Sequence, residues 1–535
     1  QGRPGQALAR FIGQQTVTPS PNLLERHDLI EALIAPEKMP PARWPAPGGH
    51  PLVTLQQAAV NAARSELAGK GSGIVAVNGP PGTGKTTLLR DVVAACVMDR
   101  ADALCKFDDP LTAFRTTGQK ISAGDRAFLH LYSLDDSLKG HEVVVASSNN
   151  KAVENVSKEL PALKAVGRDI SYFRTVSDAL LVGRNEDGQP AEGEPSWGLI
   201  AAVLGNALNR AAFQRALWWD DDRSLRLYLK AAKGDAVVRE EKDQAGQVIK
   251  RTVPRVVSAE APPSPEQAKA NWQVARKHYS TLRKDITQQL GVLETVRQAC
   301  LALEPARSAK NAALSRQMAA AEAHASCERT IHRTADNCER AILAHAIAHR
   351  QEQQMLFDRP SWWHRLFNTR RMQQWYQAHV PLVAAVAFAR DRRAEATQAH
   401  ERATEALREA NGALQSSKQT LEASSKKLAA LESTIEAQRQ RLGDSLVDEN
   451  FFKQSHESWN LASPWLPKAL HEQRENLFAA ALALQKAFID VTAQKVSHNI
   501  GVLTGAMHAG AFQDKEKKAL LPDLWATLFL VCPVV

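Results

Sequence analysis

The run Gly79-Pro80-Pro81-Gly82-Thr83-Gly84-Lys85-Thr86 fits the pattern GxxxxGK[ST] at every position. Glycines at these spacings let the backbone curl so that its N–H groups point inward at a β-phosphate, with the positive end of the following helix behind them. Lys85 supplies a mobile cation for β- and γ-phosphates, and the Thr86 hydroxyl is placed to ligate Mg²⁺. Thr87 closes the loop as GPPGTGKTT. The chemistry implied is the grip of a nucleoside triphosphate, ATP with Mg²⁺, in which Lys85 and Thr86 carry the catalytic part.

A second polar cluster is Ser147-Ser148-Asn149-Asn150, directly after the apolar run Val143-Val144-Val145-Ala146. Short hydroxyl and amide side chains in that position can donate to phosphate oxygens, and they also serve as helix caps. Other constellations are weaker. Cys327, His332 and Cys338 scatter around a helix and read as ordinary helix positions, not as a metal site. Asp220-Asp221-Asp222 reads as a solvated helix end, because no further metal ligands accompany it. Between residues 359 and 376 aromatics (Trp362, Trp363, Phe367, Trp375, Tyr376) alternate with Arg359, Arg365, Arg370 and Arg371. Such a set can cap a helical hairpin, stack bases, grip a protein partner or sit in a membrane interface.

The loop needs a strand before it and a helix after it. Residues 74–77 are apolar and predict that strand, and Leu88, Leu89, Val92, Val93 and Cys96 give a helical pattern behind the loop. An amphipathic stretch over residues 56–67 precedes both. The run at 143–146 predicts a second buried strand, with a helix from about Lys151. Strand, Gly-rich loop and helix follow one another in the order of an α/β nucleotide-binding core.

Further elements are organised around this core. Residues 1–50 end Pro-rich and read as an extended lead-in, and residues 51–234 read as the first part of the nucleotide-binding domain. Residues 235–263 hold a surface hairpin, with Val237-Val238 and Val248-Ile249 flanking a turn at Gln244-Ala245-Gly246. Ser264-Pro265-Glu266-Gln267 is a helix start, with Ser as N-cap and Pro in the first turn. From 264 to 443 the chain predicts an antiparallel coiled-coil hairpin. Leu407, Leu414, Leu421, Leu428, Ile435 and Leu442 stand seven apart, and Ala403, Ala410, Ser417, Ser424, Leu431 and Gln438 are their partner positions. The earlier arm is expected to break near Pro305 and reach about Leu356, turning around Arg359-Pro360. Arms of about 70 residues at ~1.5 Å per residue make a strut of roughly 100 Å. Residues 444–535 predict a helical return and the start of a core strand. The apolar ending Leu528-Phe529-Leu530-Val531-Cys532-Pro533-Val534-Val535 reads as a strand buried on both faces. Such a strand is expected to continue into further sequence in the intact protein, and the Gln1-Gly2-Arg3-Pro4 start, with no Met, reads as trimmed.

The GPPGTGKTT loop, Leu55-Gln56-Gln57-Ala58-Ala59-Val60 before it and residues 143–155 after it together resemble the Q-motif, motif I and motif Ia of superfamily 1 helicases. The branch most similar contains the nonsense-mediated-decay helicase. The resemblance covers residues ~50–160. It implies a RecA-like P-loop NTPase domain, here incomplete and carrying the coiled-coil insertion. It implies that Gln57 reads adenine, and that Ser148, Asn149 and Asn150 touch the backbone of single-stranded DNA or RNA. It also implies a motif II, an apolar strand ending in Asp-Glu. Leu446-Val447-Asp448-Glu449 is the nearest match, with only two apolar residues before its acids, and neither a second RecA-like domain nor its arginine finger is present in this stretch.

The whole chain is compatible with that reading. It has 535 residues, 44% hydrophobic and 23% charged, enough for a large core. Its net charge of +9 favours a polyanionic partner. No apolar run approaches the ~20 residues of a transmembrane helix. Six cysteines without a CxxC pair point to a reducing, cytoplasmic setting. The expectation is the ATP-binding portion of a helicase or translocase, poorly active by itself. Two alternatives stand beside it: an SMC-like coiled-coil ATPase, and a nucleotide-gated scaffold that does not hydrolyse ATP.

Overall fold

The computed structural model describes residues 6–14, 21–67, 73–80, 82, 84–122, 128–147, 157–181, 195–242, 248–506 and 515–535. The chain divides into two compact units: residues 1–297 with 439–535, and residues 298–438.

In the first unit, helix α1 (Thr54–Leu67) packs beside helix α2 (Lys85–Leu104), which begins at the end of the Gly-rich loop. Half of the residues that α1 buries are polar: Thr54, Gln57 and Asn61 stand beside Ala58, Val60 and Ala63. Each polar member has a carbonyl to bond. Thr54 Oγ1 donates to Trp459 O at 2.6 Å, and Asn61 Nδ2 to Leu33 O at 2.9 Å. Buried donors with partners of this kind cost little, whereas hydrophobic periodicity does not reveal them.

From Asp91 onward α2 is locked from several sides. Asp91 accepts from the Trp44 N–H at 2.9 Å, and the buried Arg43 stands 4.0 Å away. Arg64 Nη2 donates to Asp99 Oδ1 at 2.8 Å, and the fully buried Arg100 donates to Phe529 O. Burial raises the Asp91 carboxyl above its ordinary range, partly offset by Arg43 and the Trp44 N–H. Burial also pulls the Arg474 guanidinium down to about 9, with Arg43 acting in the same sense. The Pro-rich lead-in is therefore a wall of the core: Trp44 lies against Trp197 and Phe478, with ring centroids 5.5 and 5.3 Å away.

A hairpin that the sequence reading did not identify follows, with β1 (Phe114–Ser122) antiparallel to β2 (Phe128–Leu134). Its ladder shifts between Thr116 and Lys120, where Gly118 takes φ 77°. Strand β2 is anchored through Tyr132 N–H, which donates to Asn499 Oδ1 at 2.9 Å. The predicted hairpin near 235–260 consists of β3 (Arg239–Lys242), which starts directly after Val237-Val238, and β4 (Val248–Thr252), which starts at the expected Val248. Glu240 and Arg251 pair across it at 3.0 Å. Its turn lies outside the described residues.

Helix α3 (Leu225–Ala232) precedes that hairpin, and α4 (Pro265–Phe357) follows it. The N–H of Gln267 donates to Ser264 Oγ at 3.3 Å, so Ser264 caps α4. Within the first unit, Trp272, Tyr279, Ile286 and Leu293 stand seven apart on α4 and are all buried. Tyr279 ties this stripe to α2 through Asp102 Oδ1 at 2.6 Å and Met98 O at 3.2 Å. The start of the long arm is thus docked on the helix that follows the loop.

After the second unit the chain returns as α7 (Lys468–Val491), α8 (Ala493–Ala506) and α9 (Leu521–Val531), numbered after α5 and α6 of that unit. Helix α7 is buried on most of its surface and packs against α2 and α9. Residues 528–531, expected as strand, are the last turn of α9. Pro522 in the first turn, with Leu and Ala behind it, suits a helix, and a short apolar run does not by itself distinguish buried helix from buried strand. Only residues 532–535, after the helix, are extended. Val534 bridges Val143 and Ala201 in parallel fashion, with Val145 N–H to Val535 O at 2.7 Å and Ala202 N–H to Val534 O at 3.0 Å. Three segments distant in sequence therefore lie side by side and parallel. Among the described residues, parallel pairing is confined to isolated bridges of this sort, and the two ladders are antiparallel.

The second unit contains the remainder of α4, the short α5 (Trp362–Leu366) and α6 (Arg370–Leu442) up to residue 438. The two long helices run antiparallel, as the pairs Thr334–His400 at 3.3 Å and Cys338–Thr397 at 3.6 Å show. On α6, positions 403, 407, 410, 414, 417, 421, 424, 428, 431, 435 and 438 are all at least half-buried in a mostly exposed helix. The break expected at Pro305 does not occur; α4 runs through it. A proline forfeits one backbone bond and crowds the turn before it. Around this one, Ala299, Ala306 and Ala313 hold buried positions seven apart, so the packed seam spans the defect.

Candidate functional site

Lys85 is the first residue of α2, and Gly84, its N-cap, takes φ 82° and ψ 24°. Gly82 takes φ 85°. Left-handed backbone at both positions is what glycine permits without strain. Gly84 has a second reason to be glycine: a Cβ there would collide with Gln56 Nε2 and lie 3.7 Å from Thr87 Oγ1. The first N–H groups of α2 have no partner within the helix and, with the helix dipole, favour an anion at this end.

The Lys85 ammonium folds back over the loop and donates to Gly79 O at 2.6 Å and Pro80 O at 2.8 Å. It is exposed, and its partners are neutral carbonyls, which a phosphate oxygen would replace with a charge-assisted bond. Thr86 and Thr87 are half-buried behind it. Pro81 and Thr83 lie outside the described residues.

The two glutamines of α1 separate. Gln57 is buried, with Nε2 directed at Pro464 O at 3.5 Å, in a small cavity that it shares with Arg43, Asn61, Asp91 and Arg474. Gln56 is half-exposed and lies against Gly84, its Oε1 accepting from Val53 N–H at 3.4 Å. Successive helix positions are ~100° apart, so one of the pair faces the core and the other the loop. The glutamine beside the phosphate loop is Gln56, where the resemblance had mapped Gln57.

The expected strand at 74–77 carries no ladder, and Ile74 and Val77 are each 46% exposed. The other expected strand is paired at residues 143 and 145, but Val144 is 69% exposed. A run buried on both faces needs neighbours on both edges and cover on both faces, and residues 74–77 have no ladder partner among the described residues. Ser148, Asn149 and Asn150 lie outside the described residues.

The Asp448-Glu449 pair does not end a strand. It lies in a turn after α6, where Asp448 Oδ1 accepts from Asn450 N–H at 2.9 Å and Oδ2 stands 3.4 Å from Arg439. The Asp220 cluster is likewise structural: Asp220 Oδ1 accepts from Asp222 and Arg223 N–H at 2.9 and 2.6 Å, and Asp222 Oδ1 from Arg255 N–H at 2.8 Å. Among the described residues no three His, Cys, Asp or Glu side chains are grouped to hold a metal ion, and no helix is long and apolar enough to cross a membrane.

Comparison with protein-family models, curated proteins and solved structures gave no match.

Proposed function

We propose that this chain binds Mg²⁺·ATP on the loop at residues 79–86 and is the ATP-gripping portion of a helicase or translocase that acts on single-stranded DNA or RNA. The observation that carries the proposal is the loop itself: a complete GxxxxGKT in which left-handed glycines lead into α2 and the lysine lies over the loop carbonyls. The parallel pairing of residues 143–145, 533–535 and 200–202 supports a RecA-like core, because parallel neighbours require crossover connections.

In this reading the loop N–H groups and Lys85 hold the β- and γ-phosphates. Thr86 supplies an oxygen ligand to Mg²⁺, whose role is to draw charge from the phosphates during transfer. Gln56 borders the nucleotide and is the candidate for reading its base. Ser148, Asn149 and Asn150 are the candidates for the strand backbone. The chain grips the triphosphate, while the carboxylate that positions water is not assigned to any residue described here, so turnover by this chain is expected to be slow.

A non-hydrolysing, nucleotide-gated scaffold is the second reading, favoured by the engagement of Asp448 with Asn450 and Arg439. The two are separated by the affinity for a fluorescent single-stranded oligonucleotide, measured with and without Mg²⁺ and a non-hydrolysable ATP analogue. The helicase reading expects an affinity that changes at least about five-fold with nucleotide, since coupling of ~1–3 kcal/mol is usual. Lys85→Ala should abolish the change. Strand affinity that is absent, or indifferent to nucleotide, overturns the helicase reading in favour of the scaffold.

A further inference from the structure

The aromatic-basic segment of the second unit contains two kinds of aromatic residue. Trp375 and Met372 are buried, with Trp375 Nε1 donating to Met355 O at 2.9 Å and its ring stacked on His379 at 4.5 Å. These residues close the helical pair. The others are displayed: Phe357 is 92% exposed, Trp362 61%, Trp363 54%, Leu366 66% and Phe367 67%. They are held in place, because His364 Nδ1 and Thr369 Oγ1 lie 3.1 Å apart across the turn after α5 and Arg359 sits over the Trp375 ring at 5.6 Å. Contiguous apolar surface of this sort marks an interaction site.

We propose that this tip docks on an anionic lipid bilayer, with its aromatic and leucine side chains in the interface and its arginines on the headgroup phosphates. Arg359, Arg365, Arg370 and Arg371 are exposed around the apolar group, and Asp358 is the one acid between residues 356 and 376. A second copy of the tip would bring like charges together. A single strand would stack its bases on ring faces, but here those faces are partly used: Trp362 and Trp363 lie 3.8 Å apart, and Trp363 is stacked parallel to Phe367. Bases would also leave Leu366 uncovered. A bilayer interface takes Trp, Phe and Leu together, with cationic side chains at the level of the headgroups.

The test is flotation of the full chain with vesicles of phosphatidylcholine alone and of phosphatidylcholine mixed with phosphatidylglycerol. Binding is expected only to the anionic vesicles. A Trp362→Ser/Trp363→Ser/Phe367→Ser variant should lose it, and Arg365→Gln/Arg370→Gln/Arg371→Gln should weaken it by about five-fold per arginine, on the order of 100-fold together. Because all six side chains are exposed, both variants should keep the parent melting temperature and its Mg²⁺·ATP affinity. The proposal is overturned if anionic vesicles do not carry the chain, or if both variants still float with them. It is equally overturned if the variants lose oligonucleotide binding or self-association while vesicle binding stays as it was.

Discussion

The residues around the loop do different jobs that their types alone do not separate. Gln56 and Gln57 are chemically identical, yet one touches Gly84 and the other is sealed against Pro464. Substitution should divide them. Gln57→Ala removes a buried amide and leaves a hole, for a loss of about 1–3 kcal/mol in thermal or denaturant unfolding. Gln56→Ala should leave stability within ~0.5 kcal/mol and weaken ATP more than a triphosphate with another base. Matching loss of stability in both variants would contradict the assignment. The loop was legible in the sequence because its glycines, lysine and threonine are demanded by backbone geometry and charge, whichever way the chain packs. The glutamine was not, because half of the residues that α1 buries are polar, which hides which face is inside.

At the scale of elements, legibility followed the strength of the repeat. The α6 seam recurs from Leu407 to Leu442, and the half-buried positions fall on that same stripe. The earlier arm has no such leucine series and its proline suggested a break, yet Ala299, Ala306 and Ala313 carry the packing past it. Short apolar runs misled in the other direction. Residues 528–531 are helix, and the truly extended part is the Cys-Pro-Val-Val that follows, identified only by hydrogen bonds to segments more than 300 residues away. The hairpin of β1 and β2 was missed because β1, after the buried Phe114, alternates between exposed and half-buried side chains with little apolar contrast, so the partner of β2, which buries Leu131 and Leu134, does not stand out. The seam itself is testable. Leu428→Ala and Ile435→Ala should each cost about 2–5 kcal/mol of local stability in the second unit, seen as faster hydrogen exchange on α4 and α6. Unchanged exchange would show that the seam is not packed as described.

Across the whole molecule, the loop helix α2 is the shared support. The lead-in bonds to it through Asp91, the start of the long arm through Asp102, and the last helix through Arg100. It is fixed from Asp91 onward while the end that carries Gly84 and Lys85 is open, an arrangement suited to receiving a ligand on a rigid base. The net charge of +9 adds a long-range pull on any polyanion without specifying one. All of the functional account rests on the loop accepting phosphates. The direct test is calorimetric titration of the chain with Mg²⁺ and ATP, ADP or AMP, repeated on Lys85→Ala at matched melting temperature. The account predicts that ATP and ADP bind and AMP does not, and that losing the charge-assisted contact, worth about 1.5–3 kcal/mol, weakens ATP at least ten-fold. ATP and AMP binding alike, or ATP affinity unmoved by Lys85→Ala, would contradict it.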